Sequence, residues 1–230
     1  MKKNSNIFAI DLPISFGSIR HIIKLVINNK SPIRIFHNYF LQNIEIIGKT
    51  IDLGSGNHSS YYDYLIDNSE KVFFADKVPK KKNQFKGDLE KKLEFNDNEF
   101  DTVILFNVLE HIENYKSLIN EIFRILKKNG KLEIFIPFMH RFHPDPNDIF
   151  RPTHFYINKL LINAGFEVKT YLIGVGPLSV CSEILHKYAK FKIIKILLFL
   201  ILILLDKIIK LFSKDYNTFY NGIHCTCEKK

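Results

Sequence analysis

A short apolar strand, Lys49-Thr50-Ile51-Asp52-Leu53, runs into the turn Gly54-Ser55-Gly56-Asn57, and a second strand, Val72-Phe73-Phe74-Ala75, then ends at Asp76. With Tyr61 to Ile66 reading as a helix between them, this spacing predicts a parallel strand pair with a right-handed crossover, because parallel neighbours cannot be joined by a hairpin. Gly54 and Gly56 let the chain bend without a Cβ in the way, bringing backbone amides up to a nucleotide-like ligand. Asp76, at the strand tip, sits where a ribose presents two hydroxyls that one carboxylate accepts as a pair. Ser59 and Ser60 stand in the region of the third glycine of the dinucleotide fingerprint, which argues against a closely packed pyrophosphate. Asp52, inside the first strand, repels phosphates but suits an ammonium group.

Further signals follow in order: Gly87-Asp88-Leu89, the strand Phe100 to Phe106, the turn Asn107-Val108-Leu109-Glu110-His111-Ile112, an amphipathic helix from Ser117 to Lys127, and the strand Lys131 to Ile136 closed by Pro137. With the glycine turn, they resemble the class I S-adenosylmethionine-dependent methyltransferases of the type 11-like kind, over about Lys49 to Val168. That resemblance implies an α/β, Rossmann-like, three-layer α/β/α fold with a mostly parallel seven-stranded sheet and a terminal antiparallel strand. It also implies S-adenosylmethionine as cofactor, held by Asp52, Gly54, Ser55, Gly56, Asp76, Asp88, Leu89 and Asn107. Asp88 would accept from the adenine amino group, and Asn107 would line the methionine end. Some quinone-modifying relatives bind a metal through a Glu, Glu, His set here, but Asn107 replaces the first carboxylate, so no metal is expected.

The formal charge of +9 comes from lysines scattered among Asn and Ile rather than from an arginine-rich stripe. It points to an anionic membrane surface and not to nucleic acid. Cys181, Cys225 and Cys227 form no even disulfide framework and indicate a reducing compartment. Residues 1–17 carry an apolar run too short and too interrupted for a signal peptide. Ser18 reads as the cap of a first helix, and Ile33 to Ile44 as a second that is either a cofactor lid or packed on the sheet.

The segment His140 to His154 is rich in histidine, proline, aspartate and arginine and follows the fifth strand of the core. It resembles, more loosely, methyltransferases of surface-polysaccharide pathways, and it marks the acceptor side. A hydroxyl acceptor wants a base titrating near neutrality, so His143 and then His111 are the catalytic candidates. Arg151 either pins an anionic group or pairs with Asp148. Phe166 to Ile173 and Gly222 to Glu228 read as the last two strands, separated by an apolar insertion centred on Ile196 to Leu205 and flanked by lysines. Its uncharged centre is too short to span a bilayer, and extending it to Phe212 admits Asp206 and Lys207, which are costly at depth. It therefore suits a helix lying in an anionic membrane surface, with burial against the domain or a dimer contact as the alternatives.

The organisation expected is an N-terminal helical cap over 1–45, a methyltransferase core over 46–173, a membrane-associated helical insertion over 174–219 and a final core strand over 220–230. The expected function is O-methylation of a sugar or lipid-linked glycan precursor by a cytoplasmic protein peripheral to the membrane. The alternatives are a methyltransferase for a quinone or other prenyl lipid and a non-catalytic membrane scaffold. Oligomeric state is left open.

Overall fold

The computed structural model describes residues 6–13, 15–55, 59–77, 84–144 and 147–230. Eight strands form one sheet in the order β1-β7-β8-β6-β5-β2-β3-β4. They are β1 (Ile7–Ile10), β2 (Glu45–Leu53), β3 (Ile66–Asp76), β4 (Gln84–Lys86), β5 (Phe100–Phe106), β6 (Leu126–Pro137), β7 (Phe166–Val175) and β8 (Tyr220–Lys229). Only β8 runs antiparallel, to both β6 and β7. This is the Rossmann-like methyltransferase architecture with one strand more than expected. The addition is β1, which pairs parallel with β7 in the register Ile7 to Thr170 through Ile10 to Ile173. Four residues interrupted soon after by Pro13 carry too little pattern to announce a strand, and it is the exposed edge of β7 that recruits them.

Side chains alternate between two cores, as period-two strands buried on both faces require. Ile51, Leu53, Val103, Leu105, Leu132 and Ile134 pack on one face with α3 (Tyr115–Ile125) and α4 (His154–Asn163). Ile46, Phe74, Ile104, Phe106 and Phe135 pack on the other with α1 (Phe16–Ile27), α2 (Pro32–Leu41) and α6 (Lys192–Phe212).

Two local expectations are corrected. The first helix is capped by Ser15, not Ser18; the two serines form a reciprocal capping box, with Ser18 in the helix. The helix expected over Tyr61 to Ile66 is a single 3-10 turn, Tyr62–Tyr64, and β3 begins at once with Ile66 opposite Glu45. So few residues do not support an α-helical nucleus, and Tyr61 and Tyr62 are turned inward instead.

Between β7 and β8 lie α5 (Pro177–His186) and α6. The charge inside the apolar run is what seats α6: Asp206, 1% exposed, accepts from Leu178 N at 3.0 Å, Ser179 N at 2.5 Å and Ser179 Oγ at 2.7 Å, capping the start of α5. Beneath α2, a buried chain joins His37 Nε2 to His224 Nδ1 at 3.0 Å and His224 Nε2 to Glu133 at 2.8 Å, tying the helix to β8 and β6. Burial holds the His37 imidazole well below its ordinary range, and it stacks neutral on Phe135.

Candidate active site

All the parallel strands of the core end at one edge, and the turns that leave it are bound to their neighbours. Gly54 N donates to Ala75 O at 2.7 Å, Gly87 N to Asp76 O at 3.0 Å and Asn107 N to Phe135 O at 2.9 Å. Gly54 has φ +81°, and a Cβ there would stand 2.7 Å from Val108 Cγ2. Asn107 is also left-handed, at φ +55°, a conformation that asparagine tolerates better than most residues and that recurs at functional turns.

These turns enclose a cavity of about 620 Å³ lined by Gly54, Asp76, Asp88, Leu89, Asn107 and Val108, among others. Five of the eight residues expected to hold the cofactor therefore meet in one cleft. Gly56 lies outside the described residues. Ser55 and Asp52 are not on the cavity wall. Asp52 is fully buried behind the glycine turn, where its Oδ2 accepts from the hydroxyls of Tyr61 and Tyr62, the latter at 2.9 Å. Its Oδ1 has no partner among the described residues. A buried carboxylate with an unsatisfied oxygen is what a cationic ligand would complete, so the residues present fit an amino-acid-bearing cofactor.

Burial pushes the Asp52 carboxyl from 3.8 up to about 7, against the Tyr61, Tyr62 and Ser55 hydroxyls, which pull it down. Because the folded value lies above the unfolded one, its contribution to stability is complete below about pH 4 and is lost as pH rises through about 7. Denaturant titrations over that window should show stability falling with pH, by at most about 1.4 kcal/mol per pH unit from this group. Asp52→Asn should flatten that slope.

A second cavity of about 310 Å³ adjoins the first and shares Gly54, Asn107 and His111 with it. Its other walls include Ser31, Arg34, Glu110, His140, His143 and Arg151. His111 Nδ1 meets the Asn147 carbonyl, and its Nε2 lies 3.8 Å from Glu110 Oε1. His143 has an exposed side chain and is anchored through its backbone N, which donates to Asp148 at 3.0 Å. Arg151 is paired with Asp148, so the second of its two expected roles is the one found.

Arg34, on α2, is the cation that motif reading missed, since nothing local distinguishes it from a surface arginine. Glu110 was also missed as an acid-base group. Burial raises its carboxyl to about 7, and its Oε2 has no partner among the described residues. Among the described residues no three His, Cys, Asp or Glu side chains form a group that could hold a metal; Asp145 lies outside them.

Residues 51–134 match the family model described as a methyltransferase domain. An uncharacterised protein of Methanocaldococcus jannaschii is 54% identical over 44 residues, a match spanning 19% of each chain. Among solved structures, a phosphoethanolamine N-methyltransferase of Haemonchus contortus in complex with S-adenosyl-L-methionine aligns with TM-score 0.52 and 17% identity. That alignment takes in 84% of this chain and about half, 52%, of the other. An S-adenosylmethionine-dependent methyltransferase of Mesorhizobium loti aligns with TM-score 0.53 and 12% identity over 86% and 98% of the two chains. The cyclase SpnF aligns with TM-score 0.54 and 14% identity over 95% and 98%. Likeness at these identities establishes the fold, and one fold hosts different chemistries. The domain match and the cleft support S-adenosylmethionine as the cofactor.

Proposed function

We propose that this chain is an S-adenosylmethionine-dependent methyltransferase that O-methylates a sugar or lipid-linked glycan precursor at the cytoplasmic face of a membrane. The reading rests on one observation: the cleft holding Gly54, Asp76, Asp88 and Asn107 adjoins, across Gly54, Asn107 and His111, a second cavity walled by histidines and arginines. Asp76 would take the ribose hydroxyls and Asp88 the base, with Asn107 and the unsatisfied Asp52 oxygen serving the amino-acid end. Bound there, S-adenosylmethionine supplies an electrophilic methyl group on a sulfonium. The chain's part is to hold donor and acceptor in line and to exclude water, which can meet much of such a barrier. A hydroxyl acceptor also needs a base, and the second cavity offers His111, His140 and His143. Its Arg34 suits an acceptor carrying an anionic group such as a phosphate.

The membrane part of the reading is supported by α6. Ile196, Phe199, Ile203 and Asp206 face the domain, whereas Ile193, Leu197, Ile201, Leu204, Ile208 and Leu211 form an exposed ridge along the other side, each 48–79% accessible. Lys190 precedes the helix and Lys207 lies at the edge of that ridge, on a chain of formal charge +9, which favours an anionic lipid surface over a second copy of this like-charged chain. No helix among the described residues is long and apolar enough to cross a membrane.

The test pairs labelled S-adenosylmethionine with extracted lipids and glycans, and flotation with vesicles containing an anionic phospholipid. Label should enter a lipid or glycan fraction, and Leu197→Asp with Ile201→Asp should abolish flotation while leaving the fold intact, since both side chains are exposed. A dimer that dissociates on the same substitutions, with no flotation of the unmodified chain, would assign the ridge to self-association. Label appearing in a quinone fraction would select the prenyl-lipid alternative.

A further inference from the structure

The helix α5 sets Glu183 behind the wall of the second cavity, against Ile33 and His140 that line it, from a part of the chain with no methyltransferase motif. Its side chain is 5% exposed, and each oxygen has its own task. Oε2 accepts from Ile33 N at 2.7 Å, across 150 residues of sequence. That bond closes the first turn of α2, where Ser31 occupies the cap position but makes no side-chain bond. Oε1 lies 2.9 Å from His140 Nδ1. The carboxylate is thus pinned by one oxygen and turned towards the imidazole with the other.

Resting on the reading of this cavity as the acceptor site, we infer that His140 is the base that accepts the acceptor's hydroxyl proton and that Glu183 is the residue that positions it. His140 lines the cavity, and with Nδ1 facing the carboxylate, Nε2 is the nitrogen left for the acceptor. The Nδ1 atom is at ion-pair distance but not in line for a straight hydrogen bond. Catalytic hydrogen bonds of ligand-free enzymes commonly have this geometry and tighten in the complex.

In the step itself the acceptor O–H bond breaks and its proton goes to Nε2 of His140. The oxygen forms a bond to the methyl carbon, and the C–S electron pair stays on sulfur. Positive charge passes from sulfonium to imidazolium, which the Glu183 carboxylate then neutralises in a buried setting. The two other histidines of the cavity lack this arrangement. The His143 ring is exposed and has no carboxylate partner among the described residues, while the His111 ring has Nδ1 committed to the Asn147 carbonyl and Nε2 turned to the Glu110 carboxyl, 3.8 Å away. Glu183 also makes α5 a structural support of the proposed acceptor site.

Imidazole ¹⁵N shifts of the full chain, recorded above the imidazole titration, test the positioning. His140 should carry its proton on Nδ1 in the unmodified protein, and Glu183→Gln should shift it towards the ordinary Nε2-protonated tautomer. Nε2 protonation in the unmodified protein overturns the inference without any variant. For the base, His140→Gln should lower label transfer to extracted glycans or lipids by about 10²-fold or more while calorimetric affinity for S-adenosylmethionine is unchanged. Transfer that survives the substitution overturns the assignment. An unmodified chain that fails to bind S-adenosylmethionine overturns the methyltransferase reading instead, so the two failures are told apart.

Discussion

Gly54→Val is expected to remove measurable S-adenosylmethionine binding, with a loss of at least about 10²-fold in calorimetric affinity. Two costs act together. At φ +81° any residue with a Cβ is strained by roughly 1–2 kcal/mol, and a β-branched one by more. The new Cβ would also stand 2.7 Å from one Val108 methyl carbon and 3.0 Å from the other, so the turn or the wall of the cleft must move. Gly54 borders both cavities, and the added methyl groups would occupy the space through which donor and acceptor meet. Asp76→Ala, which leaves the turn alone, should weaken binding in the same assay by losing charge-assisted hydrogen bonds worth roughly 1.5–3 kcal/mol each. Full affinity in both variants would mean that the cleft is not the cofactor site.

Asp206→Ala is expected to cost about 3–5 kcal/mol of folding stability in denaturant titrations, a large share of the margin of an ordinary domain. The substitution strands Leu178 N, Ser179 N and Ser179 Oγ, all of which donate to this carboxylate at the start of α5. It also removes a negative charge from a helix N-terminus. Gly176, at φ +121°, lies so close that a Cβ on it would run into the same carboxylate. By contrast, Leu211→Ala removes a side chain that is 79% exposed and should change stability by no more than about 0.5 kcal/mol. A loss below about 1 kcal/mol in Asp206→Ala would show that α6 is held on the domain by its apolar face alone.

Much of the cofactor side was legible before folding. Alternating strands, a glycine turn and an acid at the next strand tip are local patterns, and Gly54, Asp76, Asp88, Leu89 and Asn107 do converge on one cleft. The proposed acceptor side was legible only as a segment. His140 to His154 read as chemically loaded, but which histidine meets a carboxylate depends on α5, and nothing near Glu183 marks it. Asp52 shows the same limit. Its place behind the turn was predicted, whereas the two tyrosine hydroxyls that grip it, and the burial that raises its pKa, follow from the way residues 59 to 65 fold back. Asp206 read as a charge that an apolar helix must accommodate, and it is the anchor of that helix.

What the sequence alone determined is the parallel core strands β2, β3, β5 and β6 and the edge at which their turns lie. Strand periodicity and glycine dihedral freedom are properties of neighbouring residues and need no partner. What only the tertiary structure decided is which polar side chains share a buried space: Glu183 with His140 and Ile33, Asp206 with Ser179, and Asp52 with Tyr61 and Tyr62. A buried carboxylate must find donors wherever the packed chain supplies them, and the chain supplies them from segments that only folding brings together.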